Sequence, residues 1–369
     1  MKITSIETKH YSKPLNPPFK AAWDPKPREN FASTLVFVHT DEGITGVGSG
    51  DLMTGFEGHE HLFIGQDPFA IERHSKIIDN IDFHYGRCWP LDIALWDLMG
   101  KATGQPVYKL LGAKSNKIKA YASTGEIVTP EIRAERAKKL IEEGYEAIKI
   151  RFHHDDVRDD LKVVEKVRKE VGDQLEIMVD ANQGWKMPWD TEKTWDLKEA
   201  LQVAKELEKL GVFWLEEPLP AHDFKGMAKL REMTSIRIAG GEMNRRWHDF
   251  REMTDQGSLD VYQPDVALAG GITNVKKIGE LVQGSVHLFS PHTWSNGIGF
   301  LANLHLSVAI SDCPYIEFPY DPPAWTPERR DFVMKNFITP NEQGEFIMND
   351  KPGLGFELDE EALQKYEVK

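Results

Sequence analysis

After Lys117 the chain alternates short apolar runs with amphipathic stretches of about 12–15 residues, and this alternation constrains the fold more than any other feature. It is the signature of repeated βα units around a parallel sheet. Eight runs qualify as strands: Ala120–Ser123, Ala147–Arg151, Glu176–Asn182, Phe213–Glu217, Ile236–Glu242, Asp260–Val266, Val286–His292 and Tyr315–Tyr320. The helices between them have readable ends. Thr129-Pro130-Glu131 begins one that Gly144 stops, Leu197–Leu210 stops at Gly211, and Thr273–Leu281 stops near Gly284. Eight such units predict a (β/α) barrel, in which catalytic groups sit at the C-terminal ends of the strands.

Residues 1–115 have a different texture. Ile3–Thr8, Ser33–Thr40 and Ile44–Val47 read as strands of a small antiparallel sheet, with Asp41-Glu42-Gly43 as a turn. Between the first two lies Lys13–Asn30, whose five prolines and lack of periodicity predict a long loop, a candidate lid with Trp23 or Lys20 reaching inward. From Pro68 to Gly112 apolar residues fall at helical spacing, as in Ile71, Ile77, Ile78 and Ile81. The expected organisation is an α+β capping domain over 1–115, the catalytic barrel over 116–321 and a C-terminal segment over 322–369. That segment holds two short strand-like pieces and an acidic helix near Asp359–Tyr366, and should pack back on the cap.

Composition removes several classes of function. Asp and Glu outnumber Lys and Arg by 59 to 45, a net charge of −14, which argues against nucleic acid as a partner. No run of about 18 apolar residues appears and the first residues are mostly polar, so no membrane partner and a cytoplasmic location are expected. Cys88 and Cys313 stand outside any CxxC spacing and read as buried reduced thiols. An anionic substrate on so acidic a chain needs a local cation.

The barrel rule can be applied to the polar residues directly. The third strand ends in Asp180, the fourth in Glu216-Glu217 and the fifth in Glu242. Neighbouring strands lie about 4.8 Å apart, so these acids converge and repel unless a cation sits among them. An all-oxygen set of this kind suits Mg²⁺, with Asp180, Glu216 and Glu242 as ligands. On the second strand, the period of two puts Lys149 and Arg151 on one face, toward the barrel mouth. The sixth and seventh strands end in Gln263-Pro264-Asp265 and Ser290-Pro291-His292, an acid beside an imidazole that it can orient and make more basic. Glu317, between aromatics on the eighth strand, reads as a buried acid with a raised pKa, able to donate a hydrogen bond to an oxyanion. A salt bridge to Arg151 or Lys149 is its other reading.

These residues resemble the enolase superfamily, and within it the mandelate racemase-like subgroup, over nearly the whole chain. The resemblance is carried by LDIALWDLMGKATGQPVYKLLGA (91–113), VDANQGW (179–185), WLEEPL (214–219), IAGGE (238–242), QPDV (263–266) and SPHTWSNGIG (290–299). It implies Mg²⁺ on Asp180, Glu216 and Glu242, an Asp265–His292 general-base pair, Lys149 as a carboxylate-binding or charge-tuning residue, and Glu317 as an acid hydrogen-bonded to an enediolate. Asn182 and Glu217 would support the ligands. One departure is Arg151, where the family's racemases carry a second Lys as the opposite-face base. Arginine keeps its proton at ordinary pH, so Arg151 can bind a carboxylate or hydroxyl but is a poor base, and two-base racemisation is disfavoured.

With one good base, removal of the proton α to a carboxylate leads most naturally to loss of a β-hydroxyl. The expected activity is syn dehydration of a sugar acid to a 2-keto-3-deoxy acid, with a homo-oligomer expected. The competing readings are a cycloisomerase or lactone-forming enzyme, an epimerase using Lys149, and a catalytically silent structural barrel. Gly184–Asp196 exceeds a minimal loop and is expected to dress the active site or form a surface patch. His153-His154-Asp155-Asp156 reads as a solvated loop and helix start. Met53–Phe56, His59 and His61 are candidates for a specificity loop.

Overall fold

The computed structural model describes residues 1–369 apart from 51, 114, 311, 312 and 369. It opens with an antiparallel sheet of β1 (Ile3–Phe19), β2 (Arg28–Thr40) and β3 (Thr45–Gly50), in that order. Two strands run further than the sequence predicts, because Lys13–Phe19 and Arg28–Asn30 pair instead of looping out, with Pro14 opposite Asn30. β1 is an edge strand, where a proline's missing N–H interrupts no central ladder. The expected long loop therefore shrinks to residues 20–27. Helices Ile71–His84 and Pro90–Thr103 complete this region, the second buried without a break from Pro90 to Gly100.

Eight parallel strands follow: β4 (Lys117–Ser123), β5 (Ala147–Arg151), β6 (Glu176–Asp180), β7 (Trp214–Glu216), β8 (Arg237–Gly240), β9 (Val261–Tyr262), β10 (Leu288–Phe289) and β11 (Ile316–Pro319). They pair in the path β10-β9-β8-β7-β6-β5-β4-β11. At its two ends the Ser290 hydroxyl donates to the Tyr315 carbonyl at 2.8 Å, which brings the edges of the curled sheet together. The fold is a (β/α) barrel with an α+β cap. β9 and β10 are far shorter than the sequence suggests. Pro264 and Pro291 follow two residues after them, and a residue without an N–H cannot extend a ladder.

Inside the barrel the period of two sorts the side chains into layers. Tyr121, Ala147, Met178, Trp214, Ala239 and Val261 form an apolar floor. Two residues further along their strands come Ser123, Lys149, Asp180, Glu216 and Gln263, so a polar layer stands directly above the floor. Trp214 joins the two, since it is fully buried and its indole N–H donates to Glu216 Oε2 at 3.2 Å. Its truncation to Ala should cost about 3–5 kcal/mol.

The tail divides its contacts. β12 (Glu345–Ile347) pairs antiparallel with β4, so one of the pieces expected on the cap extends the barrel sheet instead. The helix Glu360–Tyr366 does return to the cap, where the Val368 N–H donates to the His10 carbonyl at 2.8 Å and Glu367 bridges Tyr11. Among the described residues no helix is long and apolar enough to cross a membrane.

Candidate active site

Asp180 is the last residue of β6, Glu216 the last of β7, and Glu242 lies two residues past β8. One carboxylate oxygen from each lies within 4.8 Å of the others, and all three residues are buried. The backbone bends sharply to hold them at the rim. Asn182 and Glu217 adopt φ of 50° and 46°, the non-glycine residues with positive φ among those described. Such left-handed backbone costs about 1–3 kcal/mol and persists where the surroundings impose it. Gly241, at φ 110°, makes the corresponding bend before Glu242, and a Cβ there would meet the Phe250 ring at 2.9 Å.

Crowding of these acids has an electrostatic signature. Burial, together with Asp180, Glu317 and Glu242, pushes the Glu216 carboxyl up, against the pull of Lys149. The buried oxygens Asp180 Oδ2 and Glu242 Oε2 receive no aligned hydrogen bond. A divalent cation would satisfy both and relieve the repulsion, and three hard oxygen donors match Mg²⁺.

The wall formed by β5 carries fixed positive charge. Lys149 Nζ lies 2.6 Å from Glu216 Oε1, 2.7 Å from Glu317 Oε1 and 3.7 Å from Asp180 Oδ2. Burial alone would lower its pKa, but Glu216, Glu317 and Asp180 outweigh burial and raise it, so the amine stays an ammonium. Arg151 Nη1 donates to Asn182 Oδ1 and sits 2.9 Å from Asp180 Oδ2. Its guanidinium is also held 4.6 Å from the Trp23 ring centroid and 5.7 Å from that of Trp294. The buried Nε of Arg151 is left without an acceptor.

The opposite wall carries the imidazole. His292 Nδ1 donates to Asp265 Oδ2 at 2.8 Å, while Asp265 Oδ1 accepts from Asn303 Nδ2 at 2.9 Å and from the Ala267 N–H at 2.7 Å. With Nδ1 engaged, Nε2 is the nitrogen turned to the site, 3.4 Å from Glu242 Oε2. Burial pulls the imidazole pKa down, but Glu242, Glu317 and Asp265 overcome it and raise it to about 10.

Glu317 departs from expectation. Burial favours its neutral form, but Lys149 and His292, with hydrogen bonds from Lys149 and Ser123, hold it at about 2. Oε1 also accepts from Ser123 Oγ at 2.7 Å and Oε2 from the Thr293 N–H at 2.8 Å. A carboxylate so occupied has no proton to donate, and the salt bridge to Lys149 is the reading the geometry supports.

Above these groups opens a cavity of about 480 Å³, lined from the barrel by Arg151, Trp185, Met187, Glu242, His292 and Trp294 and from the cap by Trp23, Arg28, Phe31 and Arg87. Of the two lid candidates, Trp23 lines it and Lys20 does not. The 184–196 loop does serve the site, since Trp185 Nε1 donates to Glu242 Oε1 at 2.7 Å and Trp189 Nε1 donates to the Trp23 carbonyl at 3.1 Å. Met53 and Phe56 instead belong to the cap core, and His59 packs at a tilt against Tyr85. His154 pairs with Asp160 at 2.6 Å and Asp156 caps the following helix, which leaves that loop out of the cavity. Sequence reasoning missed Trp294, Asn303, Arg28 and Arg87. Only the tertiary fold brings them to the site, although Trp294 and its SPHTW context was in view.

Comparison with known proteins agrees with this architecture. Residues 3–112 match the mandelate racemase / muconate lactonizing enzyme N-terminal domain, and residues 133–362 the enolase C-terminal domain-like family. The chain belongs to this enzyme family of the enolase superfamily. It is 30% identical over 283 residues to the arabinonate dehydratase of Saccharolobus solfataricus, covering 76% of this chain and 71% of that one. It is 29% identical to the N-succinyl-L-Arg/Lys racemase of Bacillus cereus, covering 100% and 98%. The D-glucarate dehydratase of Agrobacterium tumefaciens, crystallised with magnesium, superposes with a TM-score of 0.86 at 26% identity, covering 100% of both chains.

Proposed function

We propose that the protein removes the α-proton of a sugar acid and eliminates the β-hydroxyl, giving a 2-keto-3-deoxy acid by syn dehydration. The observation that carries this reading is the asymmetry of the two walls. With Nδ1 held by Asp265, His292 Nε2 faces the cavity 3.4 Å from Glu242 Oε2, where a cation held by Glu242 would favour the neutral imidazole that accepts a proton, whereas Lys149 and Arg151 are cations locked in ion pairs. One base supports one-face chemistry.

Asp180, Glu216 and Glu242 would hold Mg²⁺, which when bound supplies Lewis-acid stabilisation for charge developing on the substrate carboxylate. The chain's own groups do the rest. His292 takes the α-proton on Nε2, Asp265 fixes the ring through Nδ1, and the protonated ring returns a proton to the departing hydroxyl on the same face. Lys149 presents fixed positive charge to the carboxylate end, worth roughly 3–4 kcal/mol for a well-placed donor. Glu317 acts through Lys149, holding it in place, and not as an acid.

A Mg²⁺-dependent screen of sugar acids for 2-keto products tests this reading. No keto product from any acid would sink dehydration. A cycloisomerase uses the same single base and would instead appear as lactone interconversion. Epimerisation would appear as solvent deuterium gained with inversion.

A further inference from the structure

A buried polar node joins the cap sheet to the loop that carries His292. Ser33 on β2 and Ser49 on β3 meet Asn296, four residues after His292, and all three side chains are fully buried. Asn296 Nδ2 donates toward the Ser49 hydroxyl at 2.7 Å, the Gly50 carbonyl at 2.9 Å and the Ser33 hydroxyl at 3.0 Å. The Ser49 hydroxyl gives its own proton to the Thr34 carbonyl at 2.5 Å, so toward the amide it accepts. On the other side Asn296 Oδ1 accepts from the Gly299 N–H at 3.1 Å and caps the helix Gly297–Ser307. A carbonyl can only accept and an N–H only donate, so the amide has one workable orientation, with its donors toward the cap and its acceptor toward the barrel helix.

The node stands between the two segments that hold the imidazole and its acid. After His292 comes Thr293, whose N–H donates to Glu317 Oε2 at 2.8 Å and whose hydroxyl donates to the Glu317 carbonyl at 2.7 Å. Trp294 follows, its indole N–H donating to Ser123 Oγ at 2.9 Å. These bonds tie the start of the loop to the barrel, and Asn296 ties its end to the cap. Gly50 also packs beside the other segment, since a Cβ on it would lie 3.6 Å from the Cβ of Ala267, whose N–H holds Asp265 Oδ1. The last residue of β3 thus reaches the loops of both Asp265 and His292. A cap that lifts away would either pull the His292 loop with it or strand a buried amide without acceptors, which is unfavourable.

We infer that Asn296 is a positioning residue that makes the placement of the His292 imidazole depend on the seating of the cap. The assignment rests on the proposed role of His292 as the base. Asn296 does not line the cavity, and it acts through the loop between itself and His292. Proton transfer tolerates little displacement of the acceptor, so a loop held from both domains keeps the base at its working place only while the cap is docked.

The test reads the link with and without chemistry. Hydrogen exchange of the Mg²⁺-loaded full chain is followed in peptides covering residues 290–300. S33A/S49A removes both hydroxyl acceptors from the cap, and exchange in those peptides should quicken about 10-fold while β5 and β6 keep their rates. W96F breaks a different cap-to-barrel hydrogen bond, from Trp96 Nε1 to Thr273 Oγ1, and should leave those peptides unchanged. S49A alone, which keeps Ser33, is used should the double variant not fold, and it should show the same change at smaller size. On the sugar acid giving most keto product in the screen, S33A/S49A and N296D should lower kcat by about 10–100-fold, with KM kept within about threefold. N296D retains the acceptor that caps the helix and loses only the donors, so a role confined to capping would leave it fully active. Unchanged exchange in 290–300, or equal loosening by W96F, overturns the inference, as does a wild-type kcat in N296D. If no acid gives keto product, the dehydration reading falls, and the exchange arm still decides whether the cap holds the His292 loop.

Discussion

The two walls of the barrel mouth carry charge in opposite ways. On the β9–β10 side an imidazole is held by Asp265 through one nitrogen and turned to the cavity at the other, 3.4 Å from Glu242 Oε2, with Asp265 itself fixed by Asn303 and a backbone N–H. On the β5 side Lys149 is tied to carboxylates on both flanks and Arg151 to Asp180, and both keep their protons. The first wall can move a proton and the second can only hold charge still. A barrel that places a mobile proton on one face and fixed charge on the other is arranged for one-face chemistry. Racemisation would need two mobile groups.

The largest test of that contrast is H292N. It removes the proton acceptor, and kcat should fall by about 10²–10⁴-fold with Mg²⁺ affinity retained. Steady-state kinetics beside metal titration decide it, and full activity would end the assignment. Metal removal comes next. Chelation should abolish turnover, and re-binding should release protons, since the pKa values of Glu216 and His292 are both raised in the metal-free site. Metal affinity should therefore rise with pH, as calorimetry in buffers of different ionisation enthalpy would register.

K149M probes the fixed wall. It leaves Glu216 and Glu317 buried without their partner and should lower stability by about 3–5 kcal/mol in denaturant unfolding. If deuterium exchange at one α-face were lost selectively, Lys149 would be a base and the contrast would break.

A buried imidazole away from both walls sharpens the point. His305 accepts from the Tyr108 N–H at 2.9 Å and donates to the Leu354 carbonyl at 3.2 Å, with no acid as a partner, and burial lowers its pKa to about 4. His292, equally enclosed, is raised to about 10 by its acidic neighbours. For His305 the folded value lies below the unfolded value of about 6.5, so the unfolded chain binds the proton first. Its share of stability is intact above pH 6.5 and is lost as pH falls toward 4, by about 3 kcal/mol. The pH dependence of the melting temperature should flatten over that window in H305Q. The smallest effect is expected for R151K, which keeps the charge beside Asp180 but gives up the planar stacking on Trp23 and Trp294, at about 1 kcal/mol in binding. A gain of two-face exchange in R151K would show that the arginine alone had barred racemisation.

Much of this was legible in the chain. Strand ends 180, 216, 242, 265 and 292 could be read because a parallel barrel sends its C-terminal strand ends to one face, and a period of two decides which residues point inward. Strand lengths were not legible at β9 and β10, because the prolines that end them were read as part of the strands. The long N-terminal loop was misjudged for a related reason. Prolines tell against a central strand, but the sequence did not reveal that β1 lies at an edge.

The sequence by itself determined the alternation that closes the barrel, the acids that crowd its mouth and the arginine that replaces a potential base. Only the tertiary structure decided which of the charged groups can act. Glu317 looked like a proton donor until Lys149, Ser123 and Thr293 were found to occupy it, and Arg87 looked like any surface arginine until the cap carried it to the cavity. The physical reason is that a side chain's charge state and availability are set by neighbours within a few ångströms. In a barrel those neighbours come from strands far apart in the chain.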